Sequence, residues 1–363
     1  MTPLYVPRVV ATVDHAAIRA NLARVRAYAP RSKVMAAIKA DAYGHGAVPV
    51  ARTLIDAGVD ALAVACFEEA LTLREAHIQA PIALLEGVLS AAETELAVSE
   101  GLQIVVHSEW QLDLLSALPA GTPVSLWFKL DSGMHRLGFV PEQAAALYQR
   151  VRANPAWRLL GWMTHLACAD EPEHPLTQQQ LDRFARATAG LPGARSIANS
   201  AGLIAWPQAR ADWVRPGLML YGASPLPGKT GADLGLRPAM RLESRLIKIQ
   251  DVAAGETIGY GGLYHCTEAM RVGVVAVGYA DGLHRVTRTG APLLIRGRRV
   301  PLIGRVSMDM ITVDLRTLPE AQVGDPVVLW GEGLPAEEVS GWAGTLAYEL
   351  FCGLTNRVHF VHR

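Results

Sequence analysis

Short apolar, β-branched runs alternate with helical stretches through the first two thirds of the chain, and this alternation limits the fold more than any other feature of the sequence. Eight such runs are present: 33–39 (KVMAAIK), 61–66 (ALAVAC), 81–87 (PIALLEG), 102–108 (LQIVVHS), 124–131 (VSLWFKLD), 159–166 (LLGWMTHL), 196–200 (SIANS) and 212–222 (DWVRPGLMLYG). Between them lie segments such as GAVPVARTLIDAG, FEEALTLREAH and PLTQQQLDRFARATAG, whose apolar residues recur at three and four. A strand run followed by a helical run is one βα unit, and eight units in succession predict a parallel (β/α)8 TIM barrel.

The texture changes near residue 225. SPLPGKTGADLGLRP is rich in Gly and Pro and reads as a linker. Glycine-bounded runs of Val, Ile and Arg follow it without long amphipathic helices: AMRLESRLIKIQDV, MRVGVVAVGYADG, PLLIRGRRVPLIGRVSMDMITVDL and DPVVLWGE. They predict a mostly antiparallel β C-terminal domain with one late helix near 335–352 and a last strand in RVHFVHR. The expected division is residues 1–228 for the barrel and 229–363 for the β domain.

The 34 Lys and Arg equal the 34 Asp and Glu, so the composition implies no basic surface that would attract nucleic acid or anionic lipid. Cys66, Cys168, Cys266 and Cys352 lie far apart, with neither a C-x-x-C pair nor a disulfide framework. MTPLYVPRVVATVD lacks the pattern of a secretory signal, and no apolar window is long enough to cross a membrane. A cytoplasmic protein is expected.

Barrel chemistry gathers at the C-terminal ends of the strands. Lys39 stands at the end of the first run. Lys129, Asp131, Met134 and Arg136 leave the fifth and His165 ends the sixth. Asn199 and Ser200 leave the seventh, and Arg215 with Gly217 lies in the eighth. Barrels commonly hold a phosphate between the loops after strands 7 and 8, where Ser200 and the backbone around Gly217 and Leu218 would sit. A desolvated lysine at such a mouth suits a Schiff base, and the phosphate site suggests pyridoxal 5′-phosphate. On position alone, an ordinary structural lysine remains the alternative.

AIKADAYGHG (37–46), KLDSGMHRLGF (129–139), THLACADE (164–171), ANSAG (198–202), VRPGLMLYG (214–222), GYGGLY (259–264), VGYADG (277–282) and GRVSMDM (304–310) together resemble the alanine racemases, fold-type III PLP-dependent enzymes. The resemblance covers nearly the whole chain in the family's order. It implies interconversion of L- and D-alanine, with Lys39 holding the cofactor and acting as base on one face of the substrate and Tyr260 acting on the other. Two bases suit the chemistry, because a proton taken from one side of Cα must return on the opposite side.

By the same resemblance, Arg215 faces the pyridine nitrogen and His165 orients Arg215. Tyr43, Asn199, Ser200, Gly217 and Leu218 help bind the cofactor, chiefly at its phosphate. Arg136 takes the substrate carboxylate, Met134 and Met308 line the substrate pocket, and Lys129 matches a lysine that is carbamylated in some members. Tyr260 and Met308 reach the partner's Lys39 in the family, which implies a homodimer. One departure is Asn356, which stands where some members carry a second phosphate-binding tyrosine.

A broader amino-acid racemase acting on serine, lysine or arginine would share these motifs, because pocket volume sets the side chain accepted. Arg215 and Tyr260 argue against a fold-type III decarboxylase, and the β domain argues against a non-catalytic PLP-binding barrel. The implied role is D-alanine supply for peptidoglycan or a step in alanine catabolism.

Overall fold

The computed structural model describes residues 6–363. The described residues divide into two units, one made of residues 6–18 with Tyr221–Ser224 and Thr230–Arg363, the other of Arg19–Leu220 with Pro225–Lys229.

The first strand, β1 (Val10–Val13), belongs to the first of these units, where it runs antiparallel to a C-terminal strand at Met240–Val252 and parallel to the last one at His359–His362. The expectation that residues 1–228 are barrel therefore differs from the structure at the N-terminus. The strand is only four residues long, and nothing in VATV says which sheet it joins.

The second unit is a closed parallel barrel of eight strands: β2 (Lys33–Ala37), β3 (Ala61–Val64), β4 (Ile82–Leu84), β5 (Gln103–Val106), β6 (Val124–Lys129), β7 (Trp157–Met163), β8 (Ala194–Ser196) and β9 (Trp213–Val214). Each of the eight apolar runs contains or overlaps one of these strands. The last pair closes the ring, with Lys33 opposite Trp213 and Val34 opposite Val214. The strands read as uninterrupted apolar runs because barrel strands are buried on both faces. Small side chains on one side of the interior, Ala61, Ala63 and Ala83, make room for Trp127 and Met163 on the other, and all are buried. Gly161 belongs to the same packing: a Cβ there would lie 2.1 Å from the carbonyl oxygen of Ala194 and 2.6 Å from the Trp127 ring.

The quoted helical segments are helices at Ala47–Asp56, Phe67–Glu75 and Leu176–Thr188, and others lie at Glu109–Ser116 and Ala144–Ala153. The seventh run is shifted: β8 ends at Ser196, and Asn199 caps a short helix over Ser200–Ala205.

Besides β1, the first unit contains β10 (Met240–Val252), β11 (Thr257–Ile258), β12 (Tyr264–His265), β13 (Met270–Val275), β14 (Pro292–Ile295), β15 (Arg298–Ile303), β16 (Ile311–Asp314), β17 (Pro326–Trp330) and β18 (His359–His362). Its main sheet has the order β13-β16-β15-β14-β17-β10-β1-β18, antiparallel throughout except for the pairing of β1 with β18. The expected late helix is two, Ala336–Ala343 and Ala347–Cys352, because Gly344 terminates the first in the left-handed region at φ +69°. None of the four cysteines forms a disulfide. No helix among the described residues is long and apolar enough to cross a membrane.

Candidate active site

The turn that follows β2 carries the first site residue. The strand ends at Ala37 and Lys39 lies two residues beyond it, half-buried. Ala40, Asp41, Ala42 and Tyr43 then take φ values of +51° to +54°, one full turn of left-handed helix built from residues with side chains. Such a turn costs roughly 1–2 kcal/mol per residue, so its surroundings must hold it. Within the loop, the Asp41 carbonyl accepts from Gly46 N–H at 2.9 Å and its carboxylate accepts from Ala47 N–H at 2.6 Å. The reversed handedness carries the Tyr43 ring back against Gly217. A Cβ at Gly217 would lie 2.4 Å from the Tyr43 hydroxyl, so glycine is required there for close approach.

Beside that contact, Ser200 Oγ accepts from Gly217 N–H at 2.9 Å and from Met219 N–H at 3.4 Å. Both lone pairs are engaged, which leaves the hydroxyl proton to donate outward. Leu218 opens a 3-10 turn, Leu218–Tyr221, and its own N–H has no partner within that turn. Asn199 accepts from Gly202 N–H through Oδ1 at 2.9 Å, fixing the short helix that carries Ser200. Tyr43, Ser200, Gly217 and Leu218 thus form one group of hydroxyls and backbone around the ends of β8 and β9.

Arg215, just past β9, is 6% exposed, and burial lowers its pKa to about 10. Its guanidinium donates to Ser196 Oγ (2.8 Å), the Thr164 carbonyl (2.5 Å), the Ile197 carbonyl (3.3 Å) and His165 Nδ1 (3.2 Å). Because arginine only donates, His165 must accept at Nδ1 and carry its proton on Nε2. Burial first, and then the charges of Arg215, Lys129, Arg136 and Lys39, push the His165 pKa well below the usual histidine value. The ring is neutral under physiological conditions.

Lys129 ends β6 and is 8% exposed. Burial, then repulsion by Arg215, Arg136 and Lys39, lowers its pKa to about 8, with only Asp131 acting the other way. Asp131 is itself committed, since its Oδ1 accepts from the N–H groups of Gly133, Met134 and His135, each at 3.0 Å. These bonds shape the loop that presents Met134 and the exposed Arg136.

Lys39, Lys129, Arg136 and Arg215 therefore share one barrel mouth, and none of them forms an ion pair among the described residues. Four cations near one another in a half-buried site are costly unless a ligand brings negative charge. A negatively charged ligand would relieve this repulsion.

Tyr260 and Met308 belong to the β unit. Tyr260 opens a short 3-10 turn after Gly259 and is 66% exposed, and Met308 is 51% exposed. The Met308 loop is braced by the VGYADG segment. The Met308 carbonyl accepts from Ala280 N–H at 3.0 Å and the Ser307 carbonyl from Tyr279 N–H at 3.0 Å. Asp281, 2% exposed, accepts from Gly278 N–H at 2.9 Å and pairs with Arg8 (3.5 Å) and Arg357 (3.3 Å), and Arg357 also binds Asp309 at 2.7 Å. Sequence reasoning missed Arg8, Asp281 and Arg357 in this brace. Its members are ordinary surface-type residues scattered over 350 positions, and only folding brings them together. Asn356 is exposed, next to Arg357.

Residues 13–225 match the alanine racemase N-terminal domain and residues 239–362 the alanine racemase C-terminal domain. An alanine racemase from Nitrosococcus oceani is 52% identical over 350 residues, covering 96% of this chain and 97% of the relative. Among solved structures, the biosynthetic alanine racemase from Pseudomonas aeruginosa superposes with a TM-score of 0.95 at 47% identity, covering 99% of this chain and all of the other. An alanine racemase from Bartonella henselae with covalently bound pyridoxal phosphate superposes with a TM-score of 0.89 at 29% identity, over 99% of this chain and all of that one. With both domains matched in order over almost its whole length, the chain belongs to the alanine racemase family, PLP-dependent isomerases that interconvert L- and D-alanine.

Proposed function

We propose that the chain racemises alanine with pyridoxal 5′-phosphate seated in the barrel mouth, Lys39 and Tyr260 being the two proton carriers. The observation that carries this reading is the charge imbalance of the mouth. Among the described residues none of Lys39, Lys129, Arg136 and Arg215 forms an ion pair, and the acid that acts on Lys129 is the committed Asp131. A phosphate dianion, a phenolic oxygen and a substrate carboxylate are the charges they lack. The hydroxyls of Tyr43 and Ser200 and the backbone at Gly217 and Leu218 suit the phosphate, with Asn199 holding the Ser200 helix in place.

When bound, the cofactor supplies an electron sink conjugated to the substrate's Cα, which makes the Cα proton removable. Lys39 would anchor it through Nζ and, once displaced by the substrate amine, hold or return the Cα proton at that atom. Tyr260 would do the same at Oη from the opposite face. Arg215 offers only donors and could accept nothing from a protonated pyridine nitrogen, so it would favour the unprotonated ring. His165, neutral and with its proton on Nε2, accepts from Arg215 at Nδ1 and so helps to orient it. Arg136 presents a forked donor to the substrate carboxylate, flanked by Met134, while Met308 contributes a backbone N–H.

The same reading assigns Lys129 as a carbamylation site, since a buried amine with a pKa of about 8 among three cations gains from becoming an anion. It also assigns a homodimer in which Tyr260 and Met308 serve the partner subunit. Both are widely exposed in the single chain, as are Leu263 and Met310 nearby in sequence, which supports a covering copy. The biosynthetic neighbour from Pseudomonas aeruginosa supports D-alanine supply as the role.

The test is borohydride reduction of the holoenzyme followed by peptide mapping, combined with a chiral assay over a panel of amino acids. The expected outcome is a pyridoxyl group on Lys39 and racemisation of alanine ahead of serine, lysine and arginine. Label on any other lysine refutes the assignment.

A further inference from the structure

The mouth's positioning machinery extends to a residue of the next βα unit. Lys39 sits between a regular strand and a left-handed turn, and its direction depends on how the backbone is held on both sides. On the strand side, Ile38 N–H donates to the Ala63 carbonyl at 2.9 Å. On the turn side, Ala40 N–H donates to Glu69 Oε1 at 2.6 Å, and the other oxygen of the same carboxylate accepts from Ala65 N–H at 2.7 Å. Glu69 lies in the first turn of the helix Phe67–Glu75, and Ala65 directly follows β3.

One carboxylate therefore ties the residue after the lysine to the end of the neighbouring barrel strand. Ala40 is the first of the four left-handed residues and is exposed, so this is where water would most easily release the turn. Hydrogen bonds to an ionised acceptor are the strong ones, and two backbone donors in place use both of its oxygens.

We infer that Glu69 is a positioning residue for Lys39: its carboxylate clasps Ala40 and Ala65 and thereby fixes the left-handed turn that aims the lysine across the barrel mouth. The inference rests on the reading that Lys39 carries the cofactor and one of the two protons. Glu69 touches neither substrate nor cofactor in this account; it acts through the backbone. Its loss should weaken the Lys39 half of the reaction and spare the Tyr260 half.

The test uses the holoenzyme carrying Glu69→Gln, which keeps the side chain's shape but offers one acceptor oxygen where two are needed. Loss of one charge-assisted hydrogen bond at this point predicts a fall in kcat of about tenfold, with KM changing less than about threefold. The Cα-deuterium isotope effect should rise only in the direction in which Lys39 removes the proton. Amide exchange over 39–46 should quicken in both holo- and apoprotein, and Glu69→Asp should recover part of both losses.

A purely structural role would lower the number of active molecules and leave both isotope effects unchanged, which would overturn the inference. Unaltered exchange over 39–46 would overturn it as well. Borohydride labelling of the unmodified enzyme separates the two levels. Label absent from Lys39 removes the reading and the inference together, whereas label present with a silent Glu69→Gln variant removes only the inference.

Discussion

Lys129 gives the sharpest quantitative consequence of the charge cluster. With a pKa of about 8, roughly a quarter of its amine is neutral at pH 7.5, against roughly one part in a thousand for a solvated lysine. The reactive form is thus enriched by about two hundredfold. In the proposed carbamylation its nitrogen lone pair would attack the carbon of dissolved CO2, forming an N–C bond as the displaced π electrons settle on oxygen and the ammonium proton leaves to water. A cation becomes a carbamate anion among Lys39, Arg136 and Arg215.

The sign of the stability effect follows from the direction of the shift. The folded-state pKa lies below the unfolded one, so the cationic form penalises the fold. The penalty is about 3 kcal/mol below pH 8 and disappears as pH rises through the unfolded value. Without CO2 the protein should therefore become more stable between pH 8 and 10, and bicarbonate should stabilise it at pH 7.5. The assay is carbon NMR in 13C-bicarbonate, with Lys129→Ala as control. A protein-bound carbamate resonance that the variant lacks is the predicted result. No resonance beyond the control, together with a melting temperature indifferent to bicarbonate, would refute the reasoning.

Gly217→Ala places a methyl group 2.4 Å from the Tyr43 hydroxyl and should weaken cofactor binding at least about tenfold, read by titrating apoprotein with pyridoxal 5′-phosphate. Ser200→Ala leaves the N–H groups of Gly217 and Met219 without their acceptor and should weaken cofactor binding while urea unfolding of the apoprotein shifts by about 1 kcal/mol. Asp281→Ala removes the acceptor of Gly278 N–H and the common partner of Arg8 and Arg357. It should destabilise the β unit by about 2 kcal/mol in urea unfolding and raise KM for alanine more than it lowers kcat, since the braced loop carries Met308.

The barrel was readable because a strand buried on both faces must be apolar throughout, while its following helix must be apolar at every third or fourth residue. Lys39, Lys129 and His165 were readable because each breaks an apolar run near its end, and Arg215 because it interrupts one. The left-handed turn was not, since Ala40, Asp41 and Ala42 have no intrinsic preference for positive φ, and the clasp by Glu69 comes from another βα unit. The sheet membership of β1 depends on partners more than 200 residues away. The split of the late helix at Gly344 was visible as a glycine in GWAGTLAYEL, but a helix interior and a helix end look alike there until the backbone angle is known.

The central claim is that two different side chains, Lys39 and Tyr260, serve opposite faces of one Cα. Its most direct test is Tyr260→Phe holoenzyme incubated with each alanine enantiomer in D2O, with Cα deuterium and configuration followed together. The variant should keep its visible absorption, take deuterium into one enantiomer with retention, and show almost no inversion. Normal racemisation by this variant would contradict the claim.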